Sequence, residues 1–125
     1  MKQKDIIKAF HALQKYEEKD LPIRISYSLF KVKKLIEDQV EFQLNAEQEI
    51  FQKYKPTSNE DGSLKFESEE QAREFAQEFS SKIDEIGEID VELDLKNKPK
   101  ISLDQIVDMS IEDIEALEPF IEFTE

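Results

Sequence analysis

Ile25, Leu29, Val32, Ile36 and Val40 follow one another at steps of four, three, four and four residues. That spacing places them all on one face of an α-helix. Pro22 stands just ahead of the series. A proline breaks a helix interior but suits a first turn, so the helix is expected to open there. Ile50, Phe51 and Tyr54 close the far end, beyond a weaker stretch where Phe42 and Leu44 sit among Gln43, Asn45, Glu47, Gln48 and Glu49. The predicted helix therefore runs from Pro22 to Tyr54. At about 1.5 Å per residue, roughly thirty residues reach about 45 Å. That is longer than a compact domain of 125 residues needs. Such a helix either projects from the body or packs against another copy of the chain.

A first helix over Lys2–Lys19 carries Ile6, Phe10 and Leu13 on one stripe with Ile7 beside them, and Asp20-Leu21-Pro22 breaks it. It is too short to cover the second. Lys55–Ser63 reads as a loop with Asp61-Gly62 as its turn, followed by a short strand over Leu64–Phe66. Ser68-Glu69-Glu70-Gln71 has the form of a capping box. It opens a third helix with the stripe Ala72, Phe75, Ala76, Phe79, Ile83 and Ile86, ended by Gly87. Glu88–Leu95 alternates acid and apolar residues without a break, the pattern of a half-buried strand, and is expected to pair with Leu64–Phe66. Lys96–Pro99 turns the chain. Ser102 and Ser110 read as N-caps of short helical turns near Leu103–Val107 and Ile111–Leu117. The apolar tail Pro119–Phe123 is expected to dock on the core or on a partner. The fold class is thus α+β in a single domain over residues 1–125: a long N-terminal helical hairpin plus a third helix packed on a small antiparallel sheet. With two Gly and four Pro, long irregular loops have little place in it.

Charge is divided unevenly. Met1–Lys34 holds nine Lys/Arg against four acids, a net of +5, while the remaining residues hold eight against twenty-six, a net of −18. The total of −13 argues against direct nucleic-acid binding, which is driven by neutralising phosphates. No cysteine is present, so disulfides, thiolate metal sites and a cysteine nucleophile are excluded. No apolar run approaches a membrane span, and the charged residues of Met1–Tyr16 interrupt any signal-peptide core. A cytoplasmic protein without membrane contact is expected.

A basic stretch with aromatics inside an acidic chain is a candidate anion site. Arg24 can clamp a phosphate through two N–H groups, Ser26 and Ser28 supply hydroxyls, and Tyr27 can stack on a base. Lys31 follows Tyr27 by four residues and Arg24 by seven, so the three can share a face, and Lys34 extends the stretch. The helix start adds free N–H groups and a positive dipole end. The alternative is an ordinary lysine-rich surface with Tyr27 packed beside the first helix. His11, the one histidine, lies near Lys8 and Lys15 and can edge the same site or serve a structural role. Asn59-Glu60-Asp61-Gly62 resembles part of a calcium loop, but Thr57 and Ser68 would fall where carboxylates are needed, so it reads as a turn. Asp84, Glu85, Glu88, Asp90, Glu92 and Asp94 form an acidic ridge. It reads either as an imitation of a nucleic-acid backbone or as a plain solvent face. No nucleotide-binding glycine loop and no hydrolase or metalloprotease signature occurs, so no enzyme, metal or cofactor is expected.

Leu21-Pro22-Ile23-Arg24-Ile25-Ser26-Tyr27 at the head of a lysine-rich helix, then Asp61-Gly62, then Ile111-Glu112-Asp113-Ile114-Glu115-Ala116-Leu117-Glu118-Pro119-Phe120-Ile121, resembles a family of small uncharacterised phage and prophage proteins of Gram-positive bacteria. The resemblance spans nearly the whole chain. It implies a phage accessory protein acting in the host cytoplasm, and it supplies no activity or site residue. The leading expectation is a non-catalytic protein that sequesters a small anionic ligand, a nucleotide-type host immune signal, in the manner of an anti-defence sponge. The alternatives are an acidic inhibitor or nucleic-acid mimic directed at a host protein, and a virion-assembly chaperone. A homo-oligomer is expected, with a two-fold dimer as the default.

Overall fold

The computed structural model describes residues 1–106 and 108–125. The stripe that begins at Ile25 does form one long helix, α2 (Ile23–Tyr54). Ile25, Leu29, Val32, Ile36 and Val40 are all buried along it. Pro22 stands at its N-cap, and Lys55 closes it in the left-handed conformation at φ 46°, its N–H donating to Phe51 O. Antiparallel to its first half lies α1 (Gln3–Glu17), which presses Ile6, Ala9 and Leu13 onto the stripe. The two make the expected helical hairpin.

The chain then forms β1 (Thr57–Ser58), β2 (Leu64–Lys65) and α3 (Glu69–Gly87). β1 and β2 are an antiparallel hairpin, and the Asn59–Ser63 turn between them places Gly62 at φ 87°. The calcium-loop likeness is accordingly a hairpin turn, with Asp61 Oδ1 accepting from Ser63 N and Oγ. Ser68 caps α3 by accepting from Gln71 N at 3.1 Å. α3 packs on the far half of α2 and on α1. Phe51 lies 5.3 Å from Phe75, and Phe66, just past β2, lies 4.9 Å from the same ring. This aromatic cluster covers the end of α2 around Phe51 and Tyr54, while Phe42 and Leu44 stay exposed. Gly87 lies where α3 meets α1, and a Cβ there would stand 3.2 Å from Lys4 Cβ, closer than ordinary contact.

Glu88–Leu95 departs from expectation. Three of its four apolar residues turn inward, with Val91 buried and Leu93 and Leu95 half-buried, but Ile89 is 44% exposed; Glu92 and Asp94 face out. Yet the segment forms no ladder with β2. Its backbone bonds go to the first residues of the chain: Val91 N donates to Met1 O, Gln3 N donates to Ile89 O, and Lys2 and Asp90 form an isolated bridge. The physical reason is that β2 already has its partner across a short turn, which costs far less chain entropy than a distant strand.

The remaining elements are β3 (Lys100–Ser102), a 3₁₀ turn (Leu103–Gln105), α4 (Ile111–Leu117) and β4 (Glu122–Thr124). The turn expected over Leu103–Val107 extends to a residue outside the described ones. Ser110 caps α4 as expected, but Ser102 makes no side-chain cap. β3 and β4 pair in parallel, so the second two-stranded sheet is not antiparallel. The tail docks on the core: Phe120 and Ile121 are each 1% exposed and join Leu117, Ile6 and Ile36 there. Burying a Phe side chain that completely contributes about 1.5–3 kcal/mol. The tail, being internal, offers no surface for self-association, and α3 covers the end of α2, whereas Phe42 and Leu44 on that helix remain exposed. Among the described residues no helix is long and apolar enough to cross a membrane.

Candidate functional site

α2 begins without a side-chain cap and without an acid in its first turn. α3 and α4 have both, in Ser68 with Glu69 and Glu70 and in Ser110 with Glu112 and Asp113. Ile25 N donates to Pro22 O, while the N–H groups of Ile23 and Arg24 have no partner among the described residues at the helix's positive end. Beside them Ile23 is 81%, Tyr27 58% and Phe30 50% exposed. This group of exposed apolar side chains at one helix start makes the face a candidate interaction surface.

The predicted site residues divide into two groups. Arg24, Tyr27 and Lys31 do come together on the outward face of α2. Lys31 Nζ lies 5.3 Å from the centre of the Tyr27 ring, and the Tyr27 and Phe30 rings stand 6.3 Å apart. Lys34 continues the row over Phe30 at 5.8 Å but also pairs with Glu37. Ser26 is half-buried and borders both this face and a cleft of about 300 Å³ toward Tyr16 and Glu17 of α1. Ser28 turns back, its hydroxyl donating to Arg24 O. His11 does not join the group. It lines a separate groove between α1 and α4, with Lys8, Lys15 and Asp113, and its Nδ1 lies 3.4 Å from Gln14 Oε1.

Among the described residues Arg24 and Lys31 make no ion pair, whereas Lys33 is held by Glu17 at 2.6 Å. Two cations beside an exposed aromatic ring are therefore free for an external anion. A further residue joins them that local sequence reasoning missed: Lys100, at the head of β3, borders the same open depression as Ile23, Arg24 and Tyr27. No local signal marks it, because only the packing of β3 on α2 brings it there.

Other polar clusters are structural. Asp113 is buried and accepts from Tyr16 Oη at 2.9 Å and from Lys15 Nζ at 3.0 Å. Burial pushes its carboxyl up, but hydrogen bonds from Lys15, Tyr16 and Ser110 outweigh this and hold it below the usual carboxylate range. Tyr16 is raised by its burial and by the bond to Asp113. At the other end of the molecule Tyr54 donates to Glu78 at 2.5 Å, and that bond, with burial, pushes its phenol up to about 12. The acidic ridge is partly neutralised within the chain. Lys4 pairs with Glu88 at 2.9 Å and Lys2 with Asp90 at 3.1 Å. Comparison with family models, with curated proteins and with solved structures finds no match.

Proposed function

We propose that this chain is a non-catalytic binding protein whose working face is the start of α2, and whose ligand is a small anion with a planar aromatic part. A nucleotide meets both demands. The observation that carries this reading is the pair of cations without an ion-pair partner among the described residues, Arg24 and Lys31, on the face of the exposed Tyr27 ring. A phosphate can take the guanidinium through two N–H groups while a base lies against the ring. In the phage setting that the resemblance implies, the role is to sequester a nucleotide-type host immune signal in the host cytoplasm. The depression is open on one side, whereas small-molecule sites usually bury most of their ligand. A second copy packed by two-fold symmetry would supply the missing wall, and we include such a dimer in the proposal.

The same openness favours a second reading, a protein partner. Exposed Tyr, Phe and Arg side chains are the types that anchor protein interfaces. One experiment separates the two. Purified protein is heat-denatured and the released supernatant is analysed by mass spectrometry, with Arg24→Ala and Tyr27→Ala in parallel. The nucleotide reading expects a released nucleotide from the wild type and none from either variant. Loss of one charge-assisted contact costs about 1.5–3 kcal/mol, roughly ten- to hundredfold in affinity. A wild-type supernatant without nucleotide, from protein that co-purifies with a host or virion protein, favours the second. Light scattering after size exclusion tests the dimer.

A further inference from the structure

Lys100 stands where two depressions meet. One is the face just described, with Arg24 and Tyr27. The other runs beside the parallel β3–β4 pair and is bordered by Lys96, Lys98 and Lys100, with Glu118 and Glu122 also on its rim. Register fixes the junction, since Lys100 lies opposite Glu122 in the ladder. Lys100 Nζ is 3.9 Å from the Glu122 carboxylate, at the outer limit of an ion pair, and both side chains are more than half exposed. Among the described residues the ammonium groups of Lys96 and Lys98 make no ion pair, and both side chains are exposed. Three lysines at alternate positions, in a part of the chain that is otherwise strongly acidic, form a local reversal of sign. Like charges held together repel one another, and a bound polyanion relieves that repulsion. Glu118 and Glu122 bias the arrangement, because an anion is repelled from their side and held toward the lysines.

We infer that the ligand of this face spans both depressions, with its planar group at Tyr27 and its phosphates running past Lys100 toward Lys98, so that the preferred ligand is a nucleotide with several phosphates rather than one. This rests on the anion-binding reading above. A single phosphate placed at Arg24 leaves the Lys96–Lys98 charges unmet, while a chain of phosphates meets both groups.

The test is calorimetric titration of the full chain with AMP and with ATP, repeated on the double variant Lys96→Ala/Lys98→Ala and on Lys96→Arg/Lys98→Arg. In the wild type ATP is expected to bind at least about tenfold more tightly than AMP, the ratio that one charge-assisted contact sustains. The ratio collapses in the alanine variant and persists in the arginine variant. Equal affinity for AMP and ATP in the wild type, or a ratio that survives in the alanine variant, overturns the extension and leaves the anion site standing. If neither nucleotide binds the wild type, the anion-binding reading itself falls and takes this one with it. Circular dichroism melts show whether the variants keep the wild-type fold, and the exposure of both lysines predicts that they do.

Discussion

The contact between α1 and α4 turns on Asp113, and a double-mutant cycle with Tyr16 measures it. Both residues are 6% exposed, and their hydrogen bond is 2.9 Å long. Tyr16→Phe removes one donor to a carboxylate, which costs about 1.5–3 kcal/mol. Asp113→Ala removes the same bond, strands the Tyr16 hydroxyl out of water, and releases Lys15. Lys15 is 59% exposed on its side chain, so its pairing adds only about 0–1 kcal/mol. In urea melts followed by circular dichroism Tyr16→Phe is thus expected to lose about 1.5–3 kcal/mol and Asp113→Ala about 2–4 kcal/mol. The double variant should lose little more than Asp113→Ala alone, giving a coupling of about 1.5–3 kcal/mol. The pH dependence follows from the lowered carboxyl of Asp113. A group whose folded pKa is depressed stabilises the fold above its unfolded value, about 4 for Asp, and that stability is lost as pH falls through the folded value. The gap between wild type and Asp113→Ala should therefore be full at neutral pH and shrink in acid. A coupling below about 0.5 kcal/mol, or a gap unchanged in acid, refutes the argument that this buried bond holds α4 to α1.

Phe120→Ala should cost about 3–5 kcal/mol in the same melts, because the ring is 1% exposed in the main core; a loss below about 1 kcal/mol would mean that the tail does not dock there. Gln43→Met should raise stability by about 1 kcal/mol, since Gln43 Oε1 is buried with no hydrogen-bond partner among the described residues and its desolvation is uncompensated; a loss of stability contradicts this. For Tyr54, whose phenol is raised to about 12, the contribution is complete below the ordinary phenol value and is lost as pH rises toward the folded one. Tyr54→Phe should remove the latest phenolate component from an ultraviolet titration, and a late component that persists would place it on another tyrosine.

What could be read from the sequence was local. The Ile25–Val40 stripe predicts α2, and Ser68 and Ser110 predict two helix starts, because each signal lies within a few residues of the element that it specifies. Glu88–Leu95 shows the limit. Alternation says which side chains turn inward, and Val91, Leu93 and Leu95 do while Ile89 stays exposed, but it carries no information about which backbone supplies the hydrogen bonds, and here that is Met1–Gln3. β1, β3 and β4 are two or three residues long, too short for any period to show. The length of α2 suggested a second copy because the reach of α3 back over Ile50, Phe51 and Tyr54 depends on the hairpin turn, not on the stripe itself. In the candidate site, helical spacing was enough to group Arg24, Tyr27 and Lys31. It could not exclude His11, which lies on the side of α1 that faces α4, and it could not include Lys100.

The charge division also narrows once side chains are placed. Of the basic residues in Met1–Lys34, Lys2 and Lys4 pair with Asp90 and Glu88, Lys15 with Asp113, Lys33 with Glu17 and Lys34 with Glu37. Lys19 lies over the Tyr16 ring. Most of the N-terminal excess therefore binds the acidic remainder of the same molecule, which is one way a chain of net charge −13 holds its first helix in place. Among the described residues Lys8, Arg24 and Lys31 make no ion pair, and Arg24 and Lys31 stand beside the exposed Tyr27 ring. Beyond a Debye length of about 8–10 Å charges are largely screened, so any attraction for an anion on this acidic chain is local to its unpaired cations. On the proposed reading such a field disfavours polyanions longer than the span from Arg24 past Lys100 to Lys98, whose phosphates would extend over the acidic surface.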